Sequence, residues 1–160
     1  MHVDSWRSTY RGIVPQAFLD GLSYGDREGL WNRVLNSPPE SQGVFVAEDA
    51  AEGVVGFAHG ARPRAPHPAY EGELYAIYLL EAFQGLGLGR DLALRVVAWF
   101  IDHGIRSMLL WVLADNPACR FYDALGGARI DVRRIDIGGA ALETVAYGWT
   151  DITKIPGVQQ

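Results

Sequence analysis

Residues Glu73–Phe100 read ELYAIYLLEAFQGLGLGRDLALRVVAWF, and the fold is decided by this stretch. Glu73–Leu80 is an almost unbroken apolar run, as expected of a central strand covered on both faces. Strict alternation along it places Glu73, Tyr75, Ile77 and Leu79 on one face and Tyr78 on the other. Further on, Leu92, Val96, Trp99 and Phe100 recur at helical spacing, and Gly104 suits the helix end. Between strand and helix lie Gly85, Gly87 and Gly89. A glycine loop opening a helix leaves backbone N–H groups without partners, and the helix dipole adds partial positive charge there. Such a turn suits phosphate or pyrophosphate, which can approach a backbone that lacks Cβ atoms. A Walker A loop needs GxxxxGK[ST], and no lysine stands here. A dinucleotide fingerprint needs GxGxxG, but counting from Gly85 the sixth position is Arg90. The plain alternative is a tight strand-to-helix turn with incidental glycines.

Working outward, Trp6–Asn36 reads as helix with interruptions at Gly21 and Gly25. Pro15 suits a helix start, and Asp26 suits the N-cap of a helix carrying Leu30, Trp31, Val34 and Leu35 on one face. Gly43–Asp49 and Val54–Ala61 then read as a hairpin joined by Ala50–Gly53, followed by a proline-rich loop over Pro63–Gly72. Beyond the central stretch come a buried strand, Arg106–Leu113, and a short helix, Pro117–Leu125. Strands Ile130–Ile137 and Ala141–Trp149 are joined by Gly138-Gly139, a strong hairpin signal. The order predicts one α/β (α+β) domain over residues 1–160, with a mixed sheet flanked by helices.

Composition narrows the function. Of 160 residues, 19 are Gly, and 49% are hydrophobic, which is enough for a packed core. One Cys excludes an internal disulfide framework and a cysteine zinc cluster. The longest apolar runs, Leu74–Leu80 and Met108–Ala114, are too short to span a membrane, and no signal peptide is visible. A cytoplasmic protein without a membrane partner is expected. A net charge of -5 disfavours nucleic acid, whose affinity rests on phosphate neutralisation. His2, His59, His67 and His103 show no ligand spacing, so no metal is expected.

The loop Gln84-Gly85-Leu86-Gly87-Leu88-Gly89 resembles the [QR]-x-x-G-x-[GA] loop of the GCN5-related N-acetyltransferases, which bind acetyl-CoA. A second feature of that family follows one strand later: Asn116, then Phe121-Tyr122, then Leu125-Gly126. The resemblance covers roughly residues 43 to 149, and Trp6–Arg11 looks like the first helix of bacterial members. It implies that the central strand parts from Arg106–Leu113 to open a slot. The pantothenate arm of CoA would pair with the backbone at Tyr78, Leu79 and Leu80, as an added strand does. The pyrophosphate would sit on the amides of Gln84, Gly85, Leu86, Gly87, Leu88, Gly89 and Arg90.

In the family, the tyrosine matching Tyr122 protonates the departing thiolate, which a phenol of pKa about 10 can do near neutral pH. Packing in the core is the bland alternative. Asn116 would bond the pantetheine arm or a water, or cap the helix at Pro117; the two roles can coexist. Glu73 would take a proton from the attacking amine, often through water in relatives, or is a solvated strand-end charge. Tyr75 would line an acceptor pocket or join the core. Trp6, Tyr10, Tyr24 and Trp31 would form part of the acceptor site or pack internally. Arg62 and Arg64 could meet an acidic substrate or the CoA 3′-phosphate, or be plain loop charges. Cys119 has no histidine near in sequence and reads as a small apolar residue.

The chain also departs from the family pattern. Asn116 to Tyr122 is one residue shorter than usual, Glu81 stands where proline is common, and the customary first strand is missing before Trp6. An uncovered sheet edge invites association, so a homodimer is expected. The resemblance implies an enzyme that moves an acetyl group from acetyl-CoA to a primary amine of a small molecule, peptide or protein by direct attack. The alternative is an acyl-CoA-binding sensor without efficient turnover.

Overall fold

A hairpin, a central strand, a crossover helix and a second antiparallel unit build one six-stranded sheet, in the order β1-β2-β3-β4-β6-β5. The computed structural model describes residues 1–158. The strands are β1 (Gln42–Asp49), β2 (Gly53–Ala61), β3 (Gly72–Leu79), β4 (Met108–Leu113), β5 (Ala128–Ile137) and β6 (Ala140–Trp149). The helices are α1 (His2–Thr9), α2 (Gln16–Asp20), α3 (Tyr24–Leu35), α4 (Leu88–Asp102) and α5 (Cys119–Ala124). No strand precedes α1 among the described residues.

The elements expected from the sequence all form, with shifted ends. The central strand stops at Leu79, and the next begins at Met108 because Ser107 and Arg106 turn to bond Gly72 and Glu71. The short helix contracts to Cys119–Ala124. Asp26 is not the N-cap of α3: Ser23 is, and its hydroxyl accepts the Asp26 N–H at 3.1 Å. The β5–β6 turn holds Gly138 and Gly139 at φ +61° and +84°, the left-handed pair that a tight hairpin needs.

α4 supplies the main core. Leu92, Ala93, Val96, Val97 and Phe100 are buried against Leu74, Leu110, Val112, Val145 and Tyr147. On the opposite face of the sheet, Tyr10, Val14, Leu19 and Leu113 form a second cluster that takes in Trp6 and Tyr78. At about 25 cal/mol per Å² of apolar area buried, such side chains contribute roughly 1.5–3 kcal/mol each.

What positions the site is the middle of the sheet. β3 and β4 run parallel, as a right-handed crossover through α4 allows, but they pair only at Gly72↔Met108 and Glu73↔Leu109. Beyond that point each keeps its outer partner. Leu79 still pairs with Gly56 of β2, and Leu113 with Thr144 of β6. The strands therefore part, and the β4-facing edge of β3 from Leu74 onward is unpaired.

Strict alternation fails on β3. His59 pairs with Ala76 and Gly60 with Leu74, so Tyr75 is an extra residue with no opposite number. Such a bulge resets the side-chain period. Leu74, Ile77 and Leu79 all join the α4 core, whereas Tyr75 packs on His59. Expected on the face of Ile77 and Leu79, Tyr75 is turned away from them.

Candidate functional site

A cleft of about 560 Å³ follows the parting of β3 and β4. Its loop end is made by Gln84, Gly85, Gly87, Gly89 and Arg90. Gly85 and Gly87 have φ of +76° and +87°, a conformation that side chains resist, and Gly87 is the N-cap of α4. The first helical bonds run from the Arg90 and Asp91 N–H groups to the Gly87 carbonyl. Ahead of them, the amides from Gly85 to Gly89 take no backbone acceptor among the described residues. They form a cradle for an anion at the positive end of a 15-residue helix. Gln84 steadies the turn by donating its side-chain amide to the Leu79 carbonyl at 3.2 Å. Arg90 reaches the other way, to the Pro156 carbonyl at 2.8 Å.

From the loop, the cleft runs along Leu79, Tyr78, Ile77 and Ala76 on one side and Leu110, Trp111 and Val112 on the other. Asn116, Ala118, Phe121 and Tyr122 close its α5 side, and Ser8, Thr9 and Tyr10 its α1 side. Tyr122 is buried, with 6% of its surface exposed, and its ring packs between Phe121 and Tyr147. Its hydroxyl bonds to no other described residue and meets the cleft. Burial, with Tyr78, Cys119 and Tyr147 nearby, pushes its pKa up, so the phenol keeps its proton at neutral pH. Asn116 Oδ1 accepts the Ala118 N–H at 2.9 Å and so shapes the turn into α5. The Tyr10 and Tyr78 hydroxyls are 3.1 Å apart, and burial raises both pKa values.

Behind Tyr78 lies an aromatic wall. His2 stacks on Tyr78 at 5.3 Å, and Trp31 meets Phe57 edge-on at 4.7 Å. The Trp31 indole N–H donates to His2 Nδ1 at 3.1 Å. Burial lowers the His2 pKa to about 4, with the Arg27 charge adding to it, so His2 is neutral at pH 7. His59 faces Gln42 at 2.8 Å and is lowered too, by burial and then by Arg64. Among the described residues, no group of three or more His, Cys, Asp or Glu side chains is placed to hold a metal. The Cys119 thiol lies against the Leu113 and Ala114 carbonyls, and burial raises its pKa.

Known proteins resemble this chain in sequence and in fold. The family model described as FR47-like protein matches residues 65–135. Over 156 residues the chain is 40% identical to YuaI of Bacillus subtilis (strain 168), an uncharacterized N-acetyltransferase, covering 97% of this chain and 87% of YuaI. The chain belongs to the GNAT acetyltransferase family. The PaiA N-acetyltransferase of Thermoplasma acidophilum, solved with coenzyme A, matches at TM-score 0.67 and 21% identity over 89% of this chain and 86% of its own. YncA of Salmonella typhimurium, solved with its cofactor acetyl-CoA, matches at TM-score 0.63 and 20% identity over 86% and 79%. These structures share the GNAT fold: the mixed sheet with its flanking helices.

Within this GNAT enzyme the residues picked out from sequence separate into two groups. Tyr78, Leu79, Gln84, Gly85, Gly87, Gly89, Arg90, Asn116 and Tyr122 line one cleft. Glu73, Leu80, Leu86 and Leu88 do not. Leu86 points outward with 68% exposure. Leu80 gives its N–H to the Val55 carbonyl at 2.8 Å, so that donor is not open to a ligand strand. Glu73 turns to the neighbouring loop, where its Oε2 accepts the Arg64 N–H at 3.1 Å. Trp111 and Ala118 line the cleft without having been expected there from sequence, as does Glu81, noted only as standing at a usual proline position. Trp111 had a signal: in MLLWVL it alternates with Leu110 and Val112, which face the core.

No helix among the described residues is long and apolar enough to cross a membrane.

Proposed function

We propose that this GNAT acetyltransferase takes acetyl-CoA as its cosubstrate and acetylates a primary amine by direct attack. The observation that carries the reading is one continuous cleft, leading from the cradle of amides at Gly85–Gly89, along the unpaired edge of β3, to the Tyr122 hydroxyl. The residues fit the molecule: a diphosphate needs the amides, and an extended amide-bearing arm needs an open strand edge of the kind β3 turns toward β4 beyond Glu73.

Acetyl-CoA would bring the acetyl group already activated as a thioester. Tyr122, held protonated, would give its proton to the departing sulfur. Asn116 has its Oδ1 committed to the Ala118 N–H, which leaves its NH₂ to orient the arm. Glu73 lies off the cleft wall and would accept the amine proton through water. Release of free thiol in the presence of acetyl-CoA and a panel of primary amines tests the proposal. A signal above hydrolysis for at least one amine is the expected result.

A second reading, an acyl-CoA sensor, gains support from one observation. Besides Glu81 and Arg90, near the loop, no ionisable carboxylate, imidazole or guanidinium lines the cleft among the described residues. Tight acetyl-CoA binding with no acetylated amine would select that reading.

A further inference from the structure

At the end of the cleft away from the glycine loop, two exposed arginines outside the cleft wall lie over rings that line it. The Arg64 guanidinium carbon lies 4.2 Å over the Tyr75 ring, and that of Arg133 lies 3.7 Å over the Trp111 ring. Both rings line the cleft. Tyr75 is four residues from Leu79 on β3, about 13 Å along an extended strand, so this end is distinct from the amide cradle.

Neither guanidinium forms an ion pair with a carboxylate among the described residues. That is notable in a chain of net charge -5. The loop that carries Arg64 is held in place. Glu73 accepts the Arg64 N–H, and the Tyr75 hydroxyl donates to the Arg62 carbonyl. The bulge that turns Tyr75 off the α4 face thus also fixes where Arg64 stands. A guanidinium held over a ring without an ion pair can present N–H groups to a carboxylate in a two-bond fork. The carboxylate of Glu73, beside Arg64, is engaged by the loop backbone and does not line the cleft.

We propose that the acceptor is an amine that also carries a carboxylate, of the amino-acid type, with the carboxylate held by Arg64 and Arg133. This rests on the acetyl-transfer reading above. It excludes polyamines, which would place like charges against both arginines.

The test is calorimetric titration of protein saturated with coenzyme A. The ligands are L-phenylalanine, L-methionine and L-glutamate, each compared with its α-carboxamide, and spermidine. At least one acid is expected to bind about tenfold or more tighter than its amide, as a charge-assisted pair implies. Arg64→Ala and Arg133→Ala should each bring that ratio to within about threefold of unity, and Arg64→Lys should restore part of it. Equal binding of acid and amide, preference for spermidine, or no acid bound overturns the proposal. Acetyl-CoA is titrated into every variant first. Its failure to bind wild-type protein defeats the cosubstrate reading, whereas normal acetyl-CoA binding with a flat panel defeats the acceptor class alone.

Discussion

At the loop end of the cleft the groups that would meet a ligand are backbone amides, from Gly85 to Gly89, fixed by two left-handed glycines and a helix start. At the far end they are side chains. Tyr10 comes from the C-cap of α1, Tyr75 from a bulge in β3 and Trp111 from β4, with Arg64, from a loop, over the Tyr75 ring. A site made of backbone depends on a short local pattern, and its function survives any side chain that leaves the turn intact. A site made of side chains depends on elements far apart in the chain, and each residue can change while the fold stands. The first end suits a ligand common to a family, and the second suits one that differs between members.

The largest effect should come where the two ends meet. Tyr122→Phe removes the hydroxyl proposed as proton donor and keeps the ring in its packing. It should lower kcat by about 10²- to 10³-fold while leaving acetyl-CoA affinity within about threefold. A free-thiol assay beside a binding titration separates the two numbers, and a fall in affinity alone would move Tyr122 into the binding surface. Next comes Gly87→Val, which forces a β-branched residue into φ +87°. It should weaken acetyl-CoA binding by at least tenfold, and acceptor selectivity among the amines that still react should hold. A change in selectivity would show that the two ends are not independent.

Acid should act first on the aromatic wall behind Tyr78. His2 has its pKa lowered to about 4 by burial, against 6.5 in the unfolded chain, so the unfolded state binds the proton more readily. Its contribution to stability is complete above pH 6.5 and is lost as pH falls toward 4. With allowance for solvent screening the loss is on the order of 1–2 kcal/mol. Melting curves from pH 7 to 5 should slope downward, and the slope should shrink in His2→Phe. The smallest effect is expected at Gly89→Ala. A Cβ there meets Leu79 at 3.4 Å and Phe121 at 4.0 Å, ordinary contacts, and the residue lies inside α4. Acetyl-CoA affinity should stay within about twofold, and a larger loss would mean that the ligand itself needs the bare backbone.

The same contrast explains what the sequence could disclose. Gln84–Gly89, Asn116 and Tyr122 are legible because each is tied to its neighbours along the chain. The six strands are legible from period and turn chemistry, to within one or two residues at their ends. The bulge at Tyr75 is not, because only the register with His59 and Gly60 defines it. It misled the reading of β3 and hid the link from Tyr75 to Arg64. Ser23 displaced Asp26 as N-cap because either residue type can serve, and the local geometry chooses. The engagement of Glu73 with the Arg64 amide, and of the Leu80 N–H with Val55, depends on partners from other segments. The stacking of Arg133 on Trp111 brings together residues 22 positions apart.

The parting of β3 from β4 has a mechanical consequence. With just Gly72↔Met108 and Glu73↔Leu109 paired between them, the halves of the sheet resemble two leaves joined near one corner, with α4 as the outer brace. A ligand that beds against the open edge of β3 acts as a splint across that gap. It would raise resistance to unfolding by RT ln(1 + [L]/Kd), about 2.7 kcal/mol at a hundredfold excess over Kd. The durability of the fold would then follow the supply of whatever fills the gap.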